Sequence, residues 1–272
     1  MSAVLPRLRF NLDFMPSPDP ARPGLFIRDP YHYSDATLLV PPILVQALQC
    51  FDGAQSNLDL RSELVRLTGE IQVGPIEKNL FDSLSEAGFL ENDTYRELKA
   101  RREADFMAEL KREAIFAGSA YPADCTTLTA LLTARVGQAT DAKPTCAAST
   151  VGIAAPHASP DGGWDTYRAA YQSLPHPNEA QERTFVILGT SHYGAPERFG
   201  LTRKQFTTPL GEAQTNLALV DELDTISGDA IRMEDYCHCV EHSIEFQIVF
   251  LQHLYGPSVR ILPILCGPFV KS

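Results

Sequence analysis

Apolar residues in the first third of the chain recur every three or four positions, which is the spacing of amphipathic helices. The spacing predicts a helix around residues 43–48, a second from Ser56 or Asn57 to Gly69, and a third from Pro75 to Gly88. A short strand is predicted at Phe26-Ile27, and the FLEN stretch after the third helix is predicted as another. Successive helices closed by a strand indicate a small domain, which we place at residues 25–95.

Two segments flank this predicted domain. Residues 1–24 hold five prolines and are predicted to form an extended lead-in. Residues 96–112 belong to a stretch in which many charged residues occur at helical spacing. This pattern predicts a solvated connecting helix. From about residue 113 apolar runs replace the charged pattern, so a second domain is predicted at residues 113–272.

Continuous apolar runs alternate with helical patterns in the second domain. Runs predicted as strands lead into residues 157 and 192, and another covers residues 260–267. Helical patterns cover residues 164–174 and 242–256, and residues 208–223 are predicted to pass from a loop to a helix. Apolar strands that alternate with helices are typical of a largely parallel sheet covered on both faces. The predicted fold class is therefore α/β.

The composition of the chain mainly excludes classes of protein. The chain has 272 residues and a net charge of −11, with an excess of acid in both halves, so a nucleic-acid-binding face has no electrostatic support. No apolar run approaches the roughly 18 residues of a transmembrane helix, and the N-terminus lacks the apolar core of a secretory signal. Six cysteines in so long a chain are not a disulfide framework, which predicts a reducing, cytoplasmic location.

Three histidines stand in polar motifs beside apolar runs and are the candidate metal ligands. His157 follows a predicted strand in GIAAPHASP, His192 ends the run FVILGTSH, and His242 opens a predicted helix in EHSIEFQIVFLQ. Open α/β sheets place ligands at the carboxyl ends of their strands, so we expect these imidazoles to converge on one metal ion. The alternative for His157 is a loop histidine bonded to a backbone carbonyl.

Two carboxylates accompany His242 in the sequence. Glu241 and Glu245 lie four residues apart, which places them on one face of a helix. Glu241 is a candidate catalytic group beside His242, and Glu245 is a candidate for orienting a ligand histidine. The alternative for both residues is a solvated helix face.

The remaining polar motifs are weaker candidates for a catalytic or metal-binding role. Cys237-His238-Cys239 lacks the second ligand pair of a structural zinc site and is predicted to be an incidental loop triplet. His176 is predicted to lie in an exposed loop, and His32 and His253 are predicted to be structural. No G-x-S-x-G elbow, P-loop or G-x-G-x-x-G fingerprint occurs, which argues against serine hydrolases, P-loop enzymes and ordinary dinucleotide dehydrogenases.

Five motifs follow one another from about Ala117 to the C-terminus: AGSAYP, APHASP, LGTSH, TPLGE and EHSIEFQIVFLQ. In this order and spacing the chain resembles the Memo family, specifically the group called AmmeMemoRadiSam system protein B. That family is similar in fold to the LigB-like class III extradiol dioxygenases, which use non-haem iron. The resemblance implies an α/β sandwich with a metal-capable pocket, whose histidines match His157, His192 and His242. We expect iron or copper as the cofactor, with zinc as a third candidate.

The chain departs from the family pattern in two places. The loop after His157 reads Ala-Ser-Pro-Asp-Gly-Gly where the family commonly has Ala-Gly-Tyr, and this difference is expected to change substrate contacts. The resemblance covers about 155 residues of a longer family domain, so we expect the domain to be incomplete at its C-terminus. The family's late cysteine is expected to fall beyond Ser272, and Cys266 does not take its place.

Residues 38–90 resemble the PqqD-like winged-helix domains that accompany radical SAM maturation enzymes. The resemblance rests on the helix spacing and on two segments at which predicted helices end, Phe51-Asp52-Gly53 and Ala87-Gly88-Phe89-Leu90. The alternative is a helical packing or dimerisation domain. The fold expected for the whole chain is a winged-helix-like domain followed by a Memo-like α/β sandwich.

Two functions follow from these resemblances. The first is a metal-dependent oxidoreductase that acts on a small molecule or a peptide, with the metal held by His157 and His192. His242 is then a third ligand or, with Glu241, an acid–base group. The second is a non-catalytic protein that binds a peptide or protein for a radical SAM enzyme. The implied partners are a radical SAM protein and an AMMECR1-like protein of the same system, with no nucleic acid and no membrane.

Overall fold

The computed structural model describes residues 3–137, 150–175 and 183–269. The chain forms two compact units, Met1–Asp105 and Phe106–Ser272. None of the helices in the described ranges is long and apolar enough to cross a membrane.

The N-terminal unit combines a small sheet with helices. Its antiparallel sheet consists of β1 (Asp13–Pro16), β2 (Leu25–Arg28) and β3 (Thr37–Val40), which pair in sequence order. The helices that follow are a 3-10 helix (Pro42–Cys50), α1 (Asn57–Thr68), α2 (Gly74–Glu86) and α3 (Asp93–Ala108). The strand predicted in FLEN is wrong, because Leu90 forms only an isolated bridge with Leu8.

Local chemistry sets both ends of α1. The Ser56 backbone N–H donates to the Asp59 carboxylate at 2.7 Å, which is half of a capping box that satisfies the free donors of the first turn. Gly69 ends the helix with φ at 73°, a left-handed conformation that favours glycine. These are the residues from which the sequence predicts this helix.

Residues predicted as an extended lead-in contribute to the core of the N-terminal unit. Leu5 and Leu12 are buried there. The buried Arg9 guanidinium donates two hydrogen bonds to the Asp29 carboxylate, each 3.0 Å long, and a third to the Gly88 carbonyl. A buried guanidinium is tolerated when it is paired and hydrogen-bonded in this way. The first residues of the chain are therefore part of a packed structure.

The C-terminal unit is built on a mixed seven-stranded sheet. Its strands are β4 (Lys111–Arg112), β5 (Thr184–Thr190), β6 (Phe199–Leu201), β7 (Gln205–Thr208), β8 (Gly211–Thr215), β9 (Ile231–Arg232) and β10 (Arg260–Cys266). One edge of β10 pairs with β5 in parallel along its whole length, and the other edge pairs with β8 and β6. The path β4-β7-β8-β10-β6-β9 completes the sheet.

Five helices accompany this sheet: α4 (Cys125–Val136), α5 (Trp164–Tyr171), α6 (Leu217–Ser227), α7 (Cys237–Val240) and α8 (Glu245–Tyr255). Side chains along a strand alternate between its two faces. Ile261 and Leu265 of β10 join the main core with α4, α5 and α8, whereas Leu262 packs with Leu201 and Val220 in a smaller cluster with α6. Helices thus cover both faces of β10, as the α/β prediction requires.

Three details of the predicted second domain are wrong. The strand predicted to lead into His157 is absent from its described part, residues 150–157. The loop predicted at the start of residues 208–223 contains β8 and the last residue of β7, which form an antiparallel pair. β5 was predicted to be buried, but its Val186 and Leu188 side chains are 56% and 68% exposed.

Candidate metal centre

Three separate segments of the C-terminal unit present the histidines. His192 lies two residues beyond the end of β5, at the carboxyl end of that strand. His242 lies in the turn between α7 and α8, and His157 lies shortly before a 3-10 helix at Pro160–Gly162. The turn that carries His242 is fixed to β5, because the Ser243 hydroxyl donates to the Thr190 carbonyl at 2.8 Å.

The three imidazoles form one cluster. A ligand atom from each ring can be chosen so that the three atoms lie within 4.8 Å of one another. The ring centroids are 5.2 Å apart for His157 and His192, 4.9 Å for His192 and His242, and 5.9 Å for His157 and His242. Residues far apart in sequence therefore present their ring nitrogens to a common point.

A buried carboxylate lies behind two of the rings. Glu241 has a side chain that is 1% exposed, and it accepts hydrogen bonds from the backbone N–H of His192 at 2.8 Å and from its Nδ1 at 3.0 Å. The same carboxylate lies 3.2 Å from Nδ1 of His242 and accepts from that residue's backbone N–H at 2.9 Å. Both Nδ1 atoms face Glu241, so Nε2 is the nitrogen that each ring can offer to a metal.

The alternative of a solvated helix face for Glu241 and Glu245 is wrong. Glu241 precedes α8 and Glu245 begins it, and both side chains are 1% exposed. Glu245 does not orient a histidine directly. Its carboxylate pairs with Arg112, accepts from the Phe116 backbone N–H at 3.1 Å and accepts from the Tyr121 hydroxyl.

Arg112 connects this carboxylate to the turn that carries the site. Its guanidinium, 1% exposed, also donates to the backbone carbonyls of Glu241 at 2.8 Å and His238 at 3.0 Å. Burial and the Glu245 charge raise the pKa of Tyr121 well above its usual value, which keeps its hydroxyl a donor. The buried Arg112 cation and the buried Glu245 anion thus neutralise each other, and their positions fix both ends of the turn between α7 and α8.

Burial also affects the charge of the cluster. Desolvation lowers the pKa of His242, and the neighbouring His192 and His157 rings lower it further, against the opposing effect of Glu241. A lowered pKa favours the neutral imidazole, which is the form that binds a metal. The rings of Phe116 and Phe246, with centroids 5.7 Å and 5.2 Å from that of His242, provide the apolar surroundings.

The donor set fits a transition-metal ion. Three neutral imidazoles suit iron, copper and zinc, and bond lengths of about 2.0–2.1 Å would place the nitrogens roughly 3.4 Å apart. The ring nitrogens lie within 4.8 Å of one another, so the rings would have to move closer together around an ion. The His157 side chain is exposed and that of His192 is 37% exposed, so one side of the cluster is open to solvent.

A cleft of about 860 Å³ adjoins the cluster, within the usual range for ligand pockets. It runs along β5 from Arg183 to Thr190, and His157, Ser243 and Gln247 line it as well. Residues 150–155 line it too, together with Tyr171, Leu174 and Pro175. A substrate in this cleft would therefore lie next to His157, the member of the cluster that lines it.

The other candidate residues lie apart from this cluster. Cys237-His238-Cys239 forms the short helix α7, not the predicted loop, and none of the three joins the cluster of possible metal ligands among the described residues. His253 is structural, because its Nε2 bonds the Gly137 carbonyl at 2.8 Å. His32 lies in the N-terminal unit with φ at 53°. His176 lies outside the described residues.

Sequence reasoning missed Arg112 and Tyr121. Tyr121 stands in the AGSAYP motif, where only a turn was predicted, and Arg112 closes the stretch predicted as a solvated helix. Their common partner Glu245 is more than 120 positions away in sequence. The signal available was the motif order itself, since AGSAYP and EHSIEF occur together in the resemblance described above.

A comparison with protein families matches residues 112–269 to the family described as Memo-like protein. A MEMO1 family protein of Aquifex aeolicus is 28% identical over 259 residues, which is 95% of this chain and 65% of that protein. A MEMO1 family protein of Ignicoccus hospitalis is 33% identical over 169 residues, 57% of this chain and 56% of that protein. The chain thus spans less than two thirds of the length of these relatives, and the first alignment includes both compact units.

Proposed function

Because the chain belongs to the Memo-like protein family, we propose that His157, His192 and His242 hold a transition-metal ion and that the protein is a metal-dependent oxidoreductase. Iron or copper is the proposed metal. The observation that carries the proposal is the convergence of three imidazoles from separate segments at the end of β5. Membership of the family does not by itself state an activity, so the oxidoreductase assignment rests on this convergence of imidazoles.

Each residue of the site has a separate task in this proposal. The three histidines would bind the ion through neutral imidazoles, and one side of the cluster is open to solvent. Glu241 was predicted to be a catalytic group, but its carboxylate is buried behind the rings and its contacts are with N–H donors. We therefore assign it the positioning of His192 and His242. A carboxylate on Nδ1 orients a ligand histidine and raises its basicity.

The bound metal would supply redox chemistry and Lewis acidity, and the protein supplies the rest. The cleft along β5 would hold the substrate beside His157, and Phe116 and Phe246 pack against the ring of His242. The His242 side chain is 25% exposed and that of His192 is 37% exposed, so His242 is the more buried of the two rings beside Glu241.

Metal analysis tests the proposal. Purified protein should hold close to one iron or copper ion per chain, and His157→Ala, His192→Ala and His242→Ala should each weaken binding at least tenfold. His32→Ala is the matched control, because His32 lies in the N-terminal unit. Metal at sub-stoichiometric levels, unchanged by the three substitutions, would contradict the metal site.

A second measurement tests the redox assignment separately. The copper-loaded protein should lose its Cu(II) electron paramagnetic resonance signal when ascorbate is added and recover it in air. If the site binds zinc tightly but binds neither iron nor copper, the metal site is supported and the oxidoreductase assignment is refuted.

The partnership with a radical SAM protein and an AMMECR1-like protein stays a proposal that a pull-down with the purified partners can test.

A further inference from the structure

His157 is held differently from the other two histidines. The Glu241 carboxylate lies 3.0 Å from Nδ1 of His192 and 3.2 Å from Nδ1 of His242, whereas the ring of His157 forms no hydrogen bond with a described residue. The His157 side chain is exposed, and residues 150–156 before it belong to no helix or strand. The position of this imidazole therefore depends on what holds the neighbouring backbone.

Two side chains bond the backbone on either side of His157. Nε2 of Gln247 donates to the Pro156 carbonyl at 3.0 Å, and the Tyr167 hydroxyl donates to the Ala158 carbonyl at 2.7 Å. These carbonyls belong to the residues immediately before and after His157, so the two bonds restrict the backbone of the ligand residue itself. Both donors lie in helices of the main core, α8 and α5.

The Gln247 amide also joins the segment of His157 to the turn that carries His242. Its Nε2 donates a second hydrogen bond, 3.2 Å long, to the Ser243 carbonyl. The Ser243 hydroxyl in turn donates to the carbonyl of Thr190, the last residue of β5, at 2.8 Å. One amide and one hydroxyl therefore connect the three segments that carry the histidines.

The orientation of the Gln247 amide is fixed by its partners. The Tyr171 hydroxyl donates to Oε1 at 2.7 Å, and exchange of the amide oxygen and nitrogen would place the oxygen against two carbonyls and lose both of those bonds. The rings of Tyr167 and Tyr171 are buried and stack on Phe250, with centroids 4.4 Å and 4.9 Å from that ring. Side chains whose own positions are locked by packing can hold a site precisely.

We propose that Gln247 and Tyr167 are positioning residues for His157, which they hold within reach of the ion that His192 and His242 would share. The proposal rests on the proposed function, and it adds which residues decide whether the third imidazole joins the other two. Gln247 lines the cleft, but both of its amide protons are engaged by backbone carbonyls. Its amide nitrogen therefore serves the ligand residue and not a substrate.

Copper affinity in combined variants tests the proposal. Gln247→Met keeps the length of the side chain but removes both donors, and it should weaken Cu(II) binding by roughly 10–100-fold, the usual cost of losing an orienting contact. Competition with a chromophoric chelator measures the affinity. In the His157→Ala protein the same substitution should change the affinity by less than about twofold, because the residue through which Gln247 acts is gone. Equal weakening in both proteins would overturn the proposal.

Gln252→Met is the matched control for the loss of a buried amide. Gln252 lies in the same helix, donates to the Pro257 carbonyl at 2.8 Å and accepts from the Thr208 hydroxyl. This substitution should lower the midpoint of urea denaturation but leave the copper affinity unchanged. A loss of copper affinity as large as that of Gln247→Met would show that any destabilised α8 weakens the site, and would overturn the proposal.

Tyr167→Phe is a smaller change that keeps the ring stacked on Phe250. It removes only the bond to the Ala158 carbonyl, and it should weaken Cu(II) binding by roughly an order of magnitude, again only while His157 is present. Tyr255→Phe is its control, because that hydroxyl also donates to a backbone carbonyl at 2.7 Å. Equal copper affinity in the two variants would overturn the assignment of Tyr167.

Nuclear Overhauser effects in the metal-free protein separate this proposal from the proposed function. The ring centroids of His157 and His192 are 5.2 Å apart, so protein labelled isotopically at histidine should show an effect between their ring protons. Gln247→Met should weaken it severalfold and leave the effect between His192 and His242 unchanged, because Glu241 holds those two rings. An unchanged effect at His157 would overturn the proposal whether or not a metal binds. If the effect responds as expected but wild-type protein binds no copper, the positioning of His157 stands and the proposed function fails.

Discussion

Glu241 accepts two hydrogen bonds from His192, one from the backbone N–H at 2.8 Å and one from Nδ1 of the ring at 3.0 Å. A carboxylate can only accept, so this contact fixes the tautomer in which the His192 proton is on Nδ1. The Nε2 lone pair is then available to an ion. The relationship determines both where the ring points and which nitrogen it offers.

Glu241→Gln should therefore weaken metal binding while the chain remains folded. The amide has nearly the same shape but no charge, and its NH₂ group can reverse the direction of the hydrogen bond and select the wrong tautomer. Loss of such an orienting carboxylate typically lowers metal affinity by about 10–100-fold. Competition with a chromophoric chelator measures the affinity.

The control for this substitution is Glu222→Gln, since Glu222 is an exposed residue of α6. It changes the net charge by the same amount and should leave the metal affinity unaltered. Wild-type affinity in the Glu241→Gln protein would show that the carboxylate does not position the ligands.

The three histidines could be predicted from sequence because each stands in a polar motif beside an apolar run. His192 ends an apolar run, and a strand that runs into a Gly-Thr-Ser-His turn delivers its last side chains to the edge of the sheet. The structure places β5 at residues 184–190 and brings the rings of His157 and His242 to the same point. Metal binding itself stays a prediction.

Long-range pairing could not be predicted in this way. Arg112 lies at the end of a charged stretch, and nothing in its local pattern shows that Glu245, which follows 133 positions later, neutralises it in the interior. The absent strand before His157 has a related cause. A strand depends on a neighbouring edge as well as on its own composition, and periodicity describes only the composition.

Gly189→Ala tests how closely β5 packs against the turn of the metal centre. An added Cβ would lie 2.6 Å from Oγ of Ser243 and 2.7 Å from Cγ1 of Ile244, so the turn would have to move. We expect a loss of about 1–3 kcal/mol in the free energy of unfolding and weaker metal binding, because overpacking shifts the neighbouring backbone. Urea denaturation followed by the fluorescence of Trp164, the single tryptophan, reports on this unit.

Gly162→Ala is the matched control, because nothing lies within 4 Å of a Cβ added there. It should change neither the stability nor the metal affinity appreciably. If Gly189→Ala were as stable as this control, the close approach of β5 to the turn would be incorrect.

Tyr121→Phe tests the buried network around Glu245. The substitution removes a hydroxyl that donates to a buried carboxylate, and hydrogen bonds to charged groups contribute roughly 1.5–3 kcal/mol. Tyr255→Phe is a comparator, because the Tyr255 hydroxyl donates to the neutral Pro175 carbonyl at 2.7 Å, a bond expected to contribute about 1 kcal/mol. The midpoint of urea denaturation should fall further for Tyr121→Phe, and the reverse order would contradict an ionised Glu245.

His238 should make the C-terminal unit sensitive to mild acid. Its side chain is buried, Nε2 bonds the Gly200 carbonyl at 3.1 Å, and Nδ1 has no hydrogen-bond partner among the described residues. Burial lowers the pKa of His238 from 6.5 to about 4, so the ring stays neutral in the folded protein. Protonation would place a charge in the interior, although Asp235 partly opposes this effect.

The sign of the effect follows from the two pKa values. Above pH 6.5 neither the folded nor the unfolded state binds the proton, and the stability due to His238 is fully present. Between pH 6.5 and 4 the unfolded state binds a proton that the folded state does not, so stability is lost as the pH falls through this range. The loss is on the order of 3 kcal/mol, since one pKa unit corresponds to about 1.4 kcal/mol.

His238→Gln removes this titration and should flatten the dependence of unfolding free energy on pH between 6.5 and 4. Urea denaturation monitored through Trp164 in the presence of a chelator measures it, because removing metal eliminates proton-linked binding at the histidine cluster. Titrating groups that do not interact with His238 cancel in the difference between the two curves. His32→Gln should leave the curve unchanged. Parallel curves for wild type and His238→Gln would show that His238 is not the group through which acid destabilises this unit.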